Sequence, residues 1–583
     1  MRPDRVAPLL LVLVLCLCGC RDGGTPGGDA NTAPGARVGT SVPAAVDAAP
    51  AAVPPDAPTL LATVPPELHG RTAAHWFGRQ WPKNWLAGFR RAEVAADFET
   101  LKQDGFDTVV LLVAWGDFQP VAMPCCTWDE RAFERLRFVL DRAREAGLKV
   151  MLRVGYGWSF HPGAGDVGER QHQLMNRADV RASYFDFVRR IGAEVDGRDE
   201  VVLAFMSWED QWLRRIDETA RSEFDEHAAT RPADFGTPRP LPDVESDARG
   251  FHRYWDWLVR EKLYAPAVGM LPNLSYEARI DREPVWTTDA GGKRVVGEWL
   301  AHDGMYELPG APLLTIYWAP FWGALNQGEQ LTAGRSLELL TALLREARER
   351  GGKALFVDQF NVVDNTPGHE SNAVLAPAEL PAFLHRAACT LRREGVAAVG
   401  IWTARDYAEN PLHNPAFGYG LEAWDLRDGG VAAPSGALEA MPEGDFRVRM
   451  QPGRTLAQRV PRRHGRMPRS GDALADHLCV RADVRAPGQL SATAGGAAVT
   501  LSFREAGLQR ACTAIAPEPD DDGIALALTL RDGDIAVRDV QLYDHLQYGG
   551  LRDVDGAPGP LLEPMRRFLG DFAAEPAPAR CVQ

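Results

Sequence analysis

The sequence predicts an α/β fold: a (β/α)8 TIM barrel followed by a C-terminal antiparallel β-sandwich. Three observations carry that expectation. Apolar runs of strand length alternate with amphipathic helical stretches over residues 67–440, and strands apolar on both faces belong to parallel sheets covered by helices. About eight such units in this span fit a closed barrel with insertions better than an open doubly wound sheet. From residue 441 to 583 the pattern becomes short alternating strands separated by turns, with a closing helix at "LLEPMRRFLGDF".

The chain opens on "MRPDRVAPLLLVLVLCLCGC". A basic start, an apolar run from Leu9 to Leu17 and small residues before a cysteine read as an export signal over residues 1–20, too short to span a bilayer stably. Leu17-Cys18-Gly19-Cys20 resembles the lipobox of bacterial lipoproteins. That resemblance implies cleavage before Cys20, lipidation of its thiol and attachment to the cell envelope. Arg21 rather than Asp follows it, which points to the outer membrane in a two-membrane bacterium. Residues 21–66 are Ala, Pro and Gly with few large apolar side chains, a tether expected to be dispensable for folding.

"FDTVVLLVAW" is the first clear buried strand. "DERAFERLRFVLDRAREAGLKV" follows as a helix ending at Gly147, with Leu136, Val139 and Leu140 on one face. "KVMLRVGYGW", "VVLAFMSWED", "PLLTIYW", "KALFVDQ" and "VAAVGIW" are further strands. "SYFDFVRRIGAEV", "GFHRYWDWLVREKLY", "SLELLTALLREARERG" and "PAFLHRAACTLRREG" are helices between them. No GxGxxG follows the first strand, so a dinucleotide site has no support. In the C-terminal module "HLCVRADVRA", "AAVTLSFREA", "GIALALTLRDG" and "DIAVRDVQLYD" are strands. The module either binds sugar or braces the barrel, and its few aromatics favour bracing.

Composition narrows the chemistry. A net charge of −15 argues against general nucleic-acid binding, which needs basic surface. The 16 tryptophans exceed ordinary core needs and suit sugar clefts, where flat ring faces stack. Beyond the leader stand Cys125, Cys126, Cys389, Cys479, Cys512 and Cys581. An exported chain can oxidise these, and Cys479 with Cys512 is a plausible pair. No spacing suggests a zinc site, and His161, His369 and His413 form no metal set; no cofactor is expected.

In a parallel barrel, chemistry collects where strands end. Those ends offer Trp115, Asp117 and Gln119; Tyr156 and Trp158; Trp208, Glu209, Asp210 and Trp212; Arg279 and Asp281; Tyr317 and Trp318; Asp358 and Gln359; and Trp402, Arg405 and Asp406. Acids interleaved with aromatics suit glycoside cleavage, where acids move protons and aromatics form sugar subsites. "DFETLKQDGFDTVVLLVAWGDFQP", "RAREAGLKVMLRVGYGW" and "VVLAFMSWEDQW" resemble successive units of glycoside hydrolase clan A, especially its cellulase- and mannanase-like family five. The resemblance implies that Glu209, ending the fourth strand, is the general acid/base. Tyr317 and Trp402 match aromatic positions ending strands six and eight.

At the seventh strand the clan pattern departs. Gln359 stands where the nucleophilic Glu belongs, and a neutral amide forms no glycosyl ester. Three readings stand. Asp358, or a loop acid such as Asp364 or Glu370, replaces the nucleophile; the reaction inverts, with another carboxylate activating water; or the barrel binds polysaccharide without cutting it. Adjacent side chains of a regular strand face opposite ways. Asp358 and Gln359 therefore share the barrel interior only if the strand has ended or bulged at that point. Arg405 and Asp406 are also read as a mutual ion pair, and Glu209 as a strand-end partner of Arg153 or Arg279. The lipobox reading predicts that Cys20→Ser leaves the exported protein soluble; unchanged partitioning with membranes would refute it.

Overall fold

Eight parallel strands close into a barrel: β1 (Arg71–His75), β2 (Thr108–Ala114), β3 (Lys149–Gly155), β4 (Val201–Met206), β5 (Ser275–Ala278), β6 (Leu314–Trp318), β7 (Leu355–Phe360) and β8 (Val396–Ile401). β8 pairs back onto β1 from Arg71↔Ala398 to Ala74↔Ile401, which completes the ring. The computed structural model describes residues 56–581 apart from several stretches, the longest being 156–166, 207–215, 320–329, 363–372 and 461–476; residues 279–282 also fall outside. All described residues belong to one unit, Pro54–Gln583.

Every residue of β2 is buried, as its unbroken apolar run requires. Val110 joins Met151, Leu203, Phe205, Phe356 and Ala398 in the cluster that fills the barrel. The alternate positions pack outward on helices α1 (Arg91–Gln103), α2 (Glu130–Ala146), α3 (Ala178–Val195), α4 (Ala248–Leu258), α5 (Ala333–Gly351) and α6 (Leu380–Arg393). In α2, Phe133, Leu136, Leu140 and Ala143 form the buried stripe. Asp129 caps that helix by accepting from the Arg131 amide at 3.0 Å, and Gly147 ends it as expected.

The folded chain begins earlier than the sequence suggests. Residues Ala57–Leu61 are helical, and Leu60, Val64 and Leu68 pack in the same cluster as the barrel interior. The tether expected over 21–66 therefore overlaps a segment that plugs the barrel, because its few apolar residues sit at the spacing that reaches the interior. A chain starting at Pro66 would lose the burial of Leu60 and Val64, each 4% exposed.

The C-terminal module is one nine-stranded antiparallel sheet, β9 (Asp425–Asp428), β10 (Val431–Ala432), β11 (Leu438–Ala440), β12 (Phe446–Met450), β13 (Arg454–Val460), β14 (His477–Ala494), β15 (Ala497–Phe503), β16 (Gly507–Ala514) and β17 (Ile524–Tyr543). β14 and β17 pair along their length, with register shifts around Ala486 and Gln489. The first half of β14 pairs with β16 and the second with β15. A Cβ at Gly488 would lie 2.2 Å from the Asp532 carbonyl oxygen, and Gly533 has φ +89°, so both residues must be glycine for the strands to bend. The two halves bury one hydrophobic core that includes Leu478, Leu490, Leu501, Leu528 and Leu542. Cys479 and Cys512 are direct cross-strand partners and form the expected disulfide.

The closing helix α7 (Leu562–Ala573) leaves that sheet and returns to the barrel. Phe568 stacks on Phe360 of β7 at 5.2 Å, and Met565, Leu569 and Phe572 are buried in the barrel's outer core. Beyond the helix, Cys581 is disulfide-bonded to Cys389 of α6. Charges line the seam between sheet and barrel. Asp104, 1% exposed, accepts from Arg552 at 2.5 and 2.7 Å and from Arg566 at 2.7 Å. Glu93 pairs with Arg481, and the Arg91 amide donates to Asp445 at 3.0 Å.

A chain ending at residue 550 would expose the interior that Met565, Phe568, Leu569 and Phe572 cover. At roughly 1.5–3 kcal/mol for each side chain, the loss of about 6–12 kcal/mol rivals the total stability of a typical domain. We expect no cooperative melt from such a chain; wild-type melting would show that α7 is dispensable.

Candidate active site

Barrel interiors are filled in layers, each drawn from alternate strands. The layer from β1, β3, β5 and β7 nearest the strand C-termini consists of His75, Arg153, Glu277 and Asp358, exposed by 3%, 0%, 2% and 0%. One layer deeper those strands place Ala73, Met151, Ser275 and Phe356. A polar layer thus lies on a mainly apolar floor.

Arg153 organises it. Its Nη2 donates to Glu277 Oε2, and its Nη1 stands 3.4 Å from Asp358 Oδ2. β3 and β7 are on opposite sides of the ring, so these side chains meet near the barrel axis. Phe205 of β4 brings its ring to 5.7 Å from the guanidinium and packs edge-on against Phe356, also at 5.7 Å. His75 Nε2 lies 2.7 Å from the Asp358 carbonyl oxygen. A carbonyl only accepts, so Nε2 carries the proton. Burial pushes the His75 pKa down to about 3, helped by the charge of Arg153 and opposed by that hydrogen bond.

A bulge explains how the acid and the amide share this interior. Along β7, Val357 registers with Ile316 and Gln359 with Tyr317, which leaves Asp358 as an extra residue against β6. Against β8 the register likewise jumps from Val357↔Val399 to Phe360↔Ile401. Ala354, Phe356 and Asp358 follow the inward alternation; the bulge then returns Gln359 to the same face as Tyr317 and turns Phe360 outward to Phe568. β8 accommodates this through Gly400, where a Cβ would lie 2.3 Å from the Asp358 carbonyl oxygen.

Other residues are placed as follows. Trp402 is partly exposed and packs on His75 at 5.0 Å and Phe77 at 5.1 Å. Tyr317 is buried beside Gln359. Trp318 points outward, stacked on Phe360 and Phe383. Trp115 is fully buried, donates to Gln119 at 2.5 Å and carries the Arg170 guanidinium 3.9 Å over its ring, so it is core rather than a sugar platform. Asp117 is buried in the turn Trp115–Phe118. Arg405 does not form the mutual pair read from sequence: it reaches Asp97 of α1 at 3.2 Å and the Val554 carbonyl at 2.9 Å. By that residue the chain has left the mouth for the seam. The Asp406 amide donates to the Arg552 carbonyl at 2.8 Å. Tyr156, Trp158, Trp208, Glu209, Asp210, Trp212, Arg279, Asp281, Asp364 and Glu370 lie outside the described residues. Cys20 does too.

Two members of the polar layer escaped the sequence reading, His75 and Glu277. Each had a signal. In "SYEA" the polar Ser275 and Glu277 alternate with Tyr276 and Ala278, and "RTAAH" places a histidine where a buried strand ends. Among the described residues, no group of three or more His, Cys, Asp or Glu side chains is placed to hold a metal ion.

No protein-family model matches the sequence, and no curated protein does. Solved structures with a similar barrel include an exo-β-1,4-mannosidase from an Opitutaceae bacterium, strain TAV5, at 17% identity and TM-score 0.36, covering 59% of this chain and 53% of that one. The alignment thus spans about half of the mannosidase's length. The GH5_18 protein of Streptomyces cattleya, solved with GlcNAc, aligns at 17% identity and TM-score 0.38 over 58% of this chain and 71% of that one. An endo-1,4-β-mannanase from Rhizomucor miehei aligns at 10% identity and TM-score 0.37, over 57% and 86%. Likeness at this level is to the barrel alone. The class that fold and site define is a (β/α)8 barrel with a buried arginine–dicarboxylate layer beneath its mouth.

Neutral His75 makes that layer sensitive to acid. Folded, it takes a proton only near pH 3; unfolded, it does so below about 6.5. The unfolded state then binds more protons, so stability is lost as pH falls from 6.5 toward 3, by up to roughly 1.4 kcal/mol per unit from this group. Denaturant unfolding of His75→Gln across that window is expected to show a shallower slope; an unchanged slope would mean His75 is not held neutral.

Proposed function

We propose that this chain is an exported glycoside hydrolase acting on a polysaccharide, with Asp358 as the reacting carboxylate and Glu209 as general acid/base. One observation carries the reading. The alternation of β7 carries Asp358 into the barrel beneath the mouth, where Arg153 stands 3.4 Å away. A nearby guanidinium favours the ionised carboxylate, the form that can attack. In the double-displacement route, Glu209 protonates the leaving glycosidic oxygen while Asp358 attacks the anomeric carbon, giving a glycosyl ester. Water, deprotonated by Glu209, then displaces Asp358 and returns both groups to their starting states. Trp402, the partly exposed aromatic against His75, is the sugar platform in this reading. The leader supports a lipid anchor at Cys20 that holds the enzyme at the envelope.

The second reading, glycan binding without cleavage, has its own support: Asp358 and Arg153 are 0% exposed, so a sugar must displace something to reach the carboxylate. A panel of β-linked glucans, mannans and uronate polymers separates the two. We expect the wild type to release sugar with retained anomeric configuration, and Asp358→Asn and Glu209→Gln each to retain under about one thousandth of its kcat. Full turnover by Asp358→Asn would remove Asp358 from the chemistry. Calorimetric binding of an oligosaccharide with no product formed would establish the binding protein.

A further inference from the structure

We propose that the groove between α5 and α6, on the outer wall of the barrel, binds an acidic polysaccharide, one whose sugars bear uronate carboxylates. This assignment rests on the hydrolase reading only for the choice of a glycan as the polyanion. The groove has a volume of about 630 Å3, with Leu337, Thr341 and Arg345 of α5 on one wall and Arg386, Cys389 and Arg393 of α6 on the other. On each helix these residues recur at three- or four-residue spacing, so each wall presents one continuous stripe.

Its charge is organised by a buried acid. Glu394, 2% exposed just after α6, accepts from Arg345 through Nε and Nη2, both at 3.2 Å, from Arg348 at 3.2 Å and from Arg393 at 3.1 Å. One cation would neutralise this carboxylate, yet three surround it. A guanidinium carries five N–H donors in a rigid fork. Arg345 and Arg393, 54% and 56% exposed, therefore keep donors that Glu394 does not use, while Glu394 fixes where they stand. Arg386 lies about two helical turns before Arg393 on the same face. It is exposed and, among the described residues, is paired with no carboxylate. Glu338, the acid in the lining, is taken by Arg335 at 3.2 Å, and Asp56 lies within electrostatic reach of Arg348. Arginines still outnumber carboxylates along the groove, on a chain whose net charge is −15.

The lining also selects among polyanions. It contains no Trp, Tyr or Phe, so neither the face of a neutral sugar nor a nucleic-acid base has a ring to stack on. Charge is the handle. Packed helices stand about 8–10 Å apart, which leaves room for a single extended chain and not for a duplex. A bilayer surface is flat and does not enter a groove. A polymer with repeated carboxylates matches cations repeated along both walls. α5 leads into β7 and α6 leads out of it, so a polymer held here lies in the sector of the barrel that carries Asp358.

The test compares the wild type with Arg386→Glu and with the double variant Arg386→Glu, Arg393→Glu, all in the full chain. In calorimetry at low salt, a polygalacturonate fragment should bind the wild type roughly tenfold more tightly than a neutral mannan fragment of equal length. Arg386→Glu should weaken the polygalacturonate about fivefold, and the double variant about tenfold or more. Arg189→Glu on α3 makes the same charge change at a residue 57% exposed and should leave binding unchanged. Added salt should weaken the complex, because exposed charges are screened. On a polymer that the wild type cleaves, Arg386→Glu should raise KM with kcat unchanged. Equal affinity for mannan and polygalacturonate, or binding that survives the double variant, would overturn the proposal. So would tighter, groove-dependent binding of an oligo-dT strand or of phosphatidylglycerol vesicles. Groove-dependent binding of polygalacturonate without cleavage of any glycan would defeat the hydrolase reading and leave the groove assignment standing. If the double variant does not fold, Arg386→Glu decides alone, since no carboxylate partner is lost with it.

Discussion

One guanidinium, buried among eight strands, is the constraint on which the upper half of this barrel depends. Arg153 cannot be desolvated without partners, because an uncompensated charge in a protein interior costs several kcal/mol. Glu277 and Asp358 supply them from two other strands. The side-chain-free surface at Gly400 and the neutral histidine on β1 accommodate the inward Asp358, and the bulge in β7 brings Gln359 onto the same face. Truncating Arg153 would take the shared cation away from both carboxylates, whereas the mainly apolar layer beneath carries no charge.

The second organising feature is the route of the chain. The barrel hands over to the antiparallel sheet after β8, and the final helix comes back to finish the barrel's outer wall. The aromatic stack Phe568–Phe360–Trp318 joins the C-terminal helix to the two strands beside the candidate site. The same strand that presents Asp358 inward is therefore backed by α7 outward. Packing behind the bulge comes from α7, and the charged seam along α1 and at Asp104 ties neighbouring elements together.

How far the fold was legible in the sequence follows from how local each signal is. Strands apolar on both faces and the capped helix α2 announce themselves within a few residues, and the Cys479–Cys512 pair lies on neighbouring strands. The return of α7 was not legible, because an amphipathic helix declares a buried face without saying which core receives it. Residues 57–64 were lost for a related reason: two or three apolar side chains in an Ala- and Pro-rich run look too few to fold unless a barrel waits to be plugged. At the site, Asp358 and Gln359 drew notice through their odd placement at a strand end. The bulge that reconciles them depends on register with β6 and β8, which no local pattern encodes. Glu277 and Arg153 looked like ordinary charges until the ring brought β3, β5 and β7 together.

The return of α7 also fixes a schedule. The disulfide between Cys389 and Cys581 spans 192 residues, and the helix just before Cys581 supplies part of the wall behind β7. A growing chain can assemble strands and most helices as they emerge, yet that wall stays open until residues 562–573 have been made. Contacts so distant in sequence form late, after the loop between them has been closed against its entropy. The wall behind Phe360 is thus completed late, and until α7 has been made that surface of a nascent copy stays uncovered.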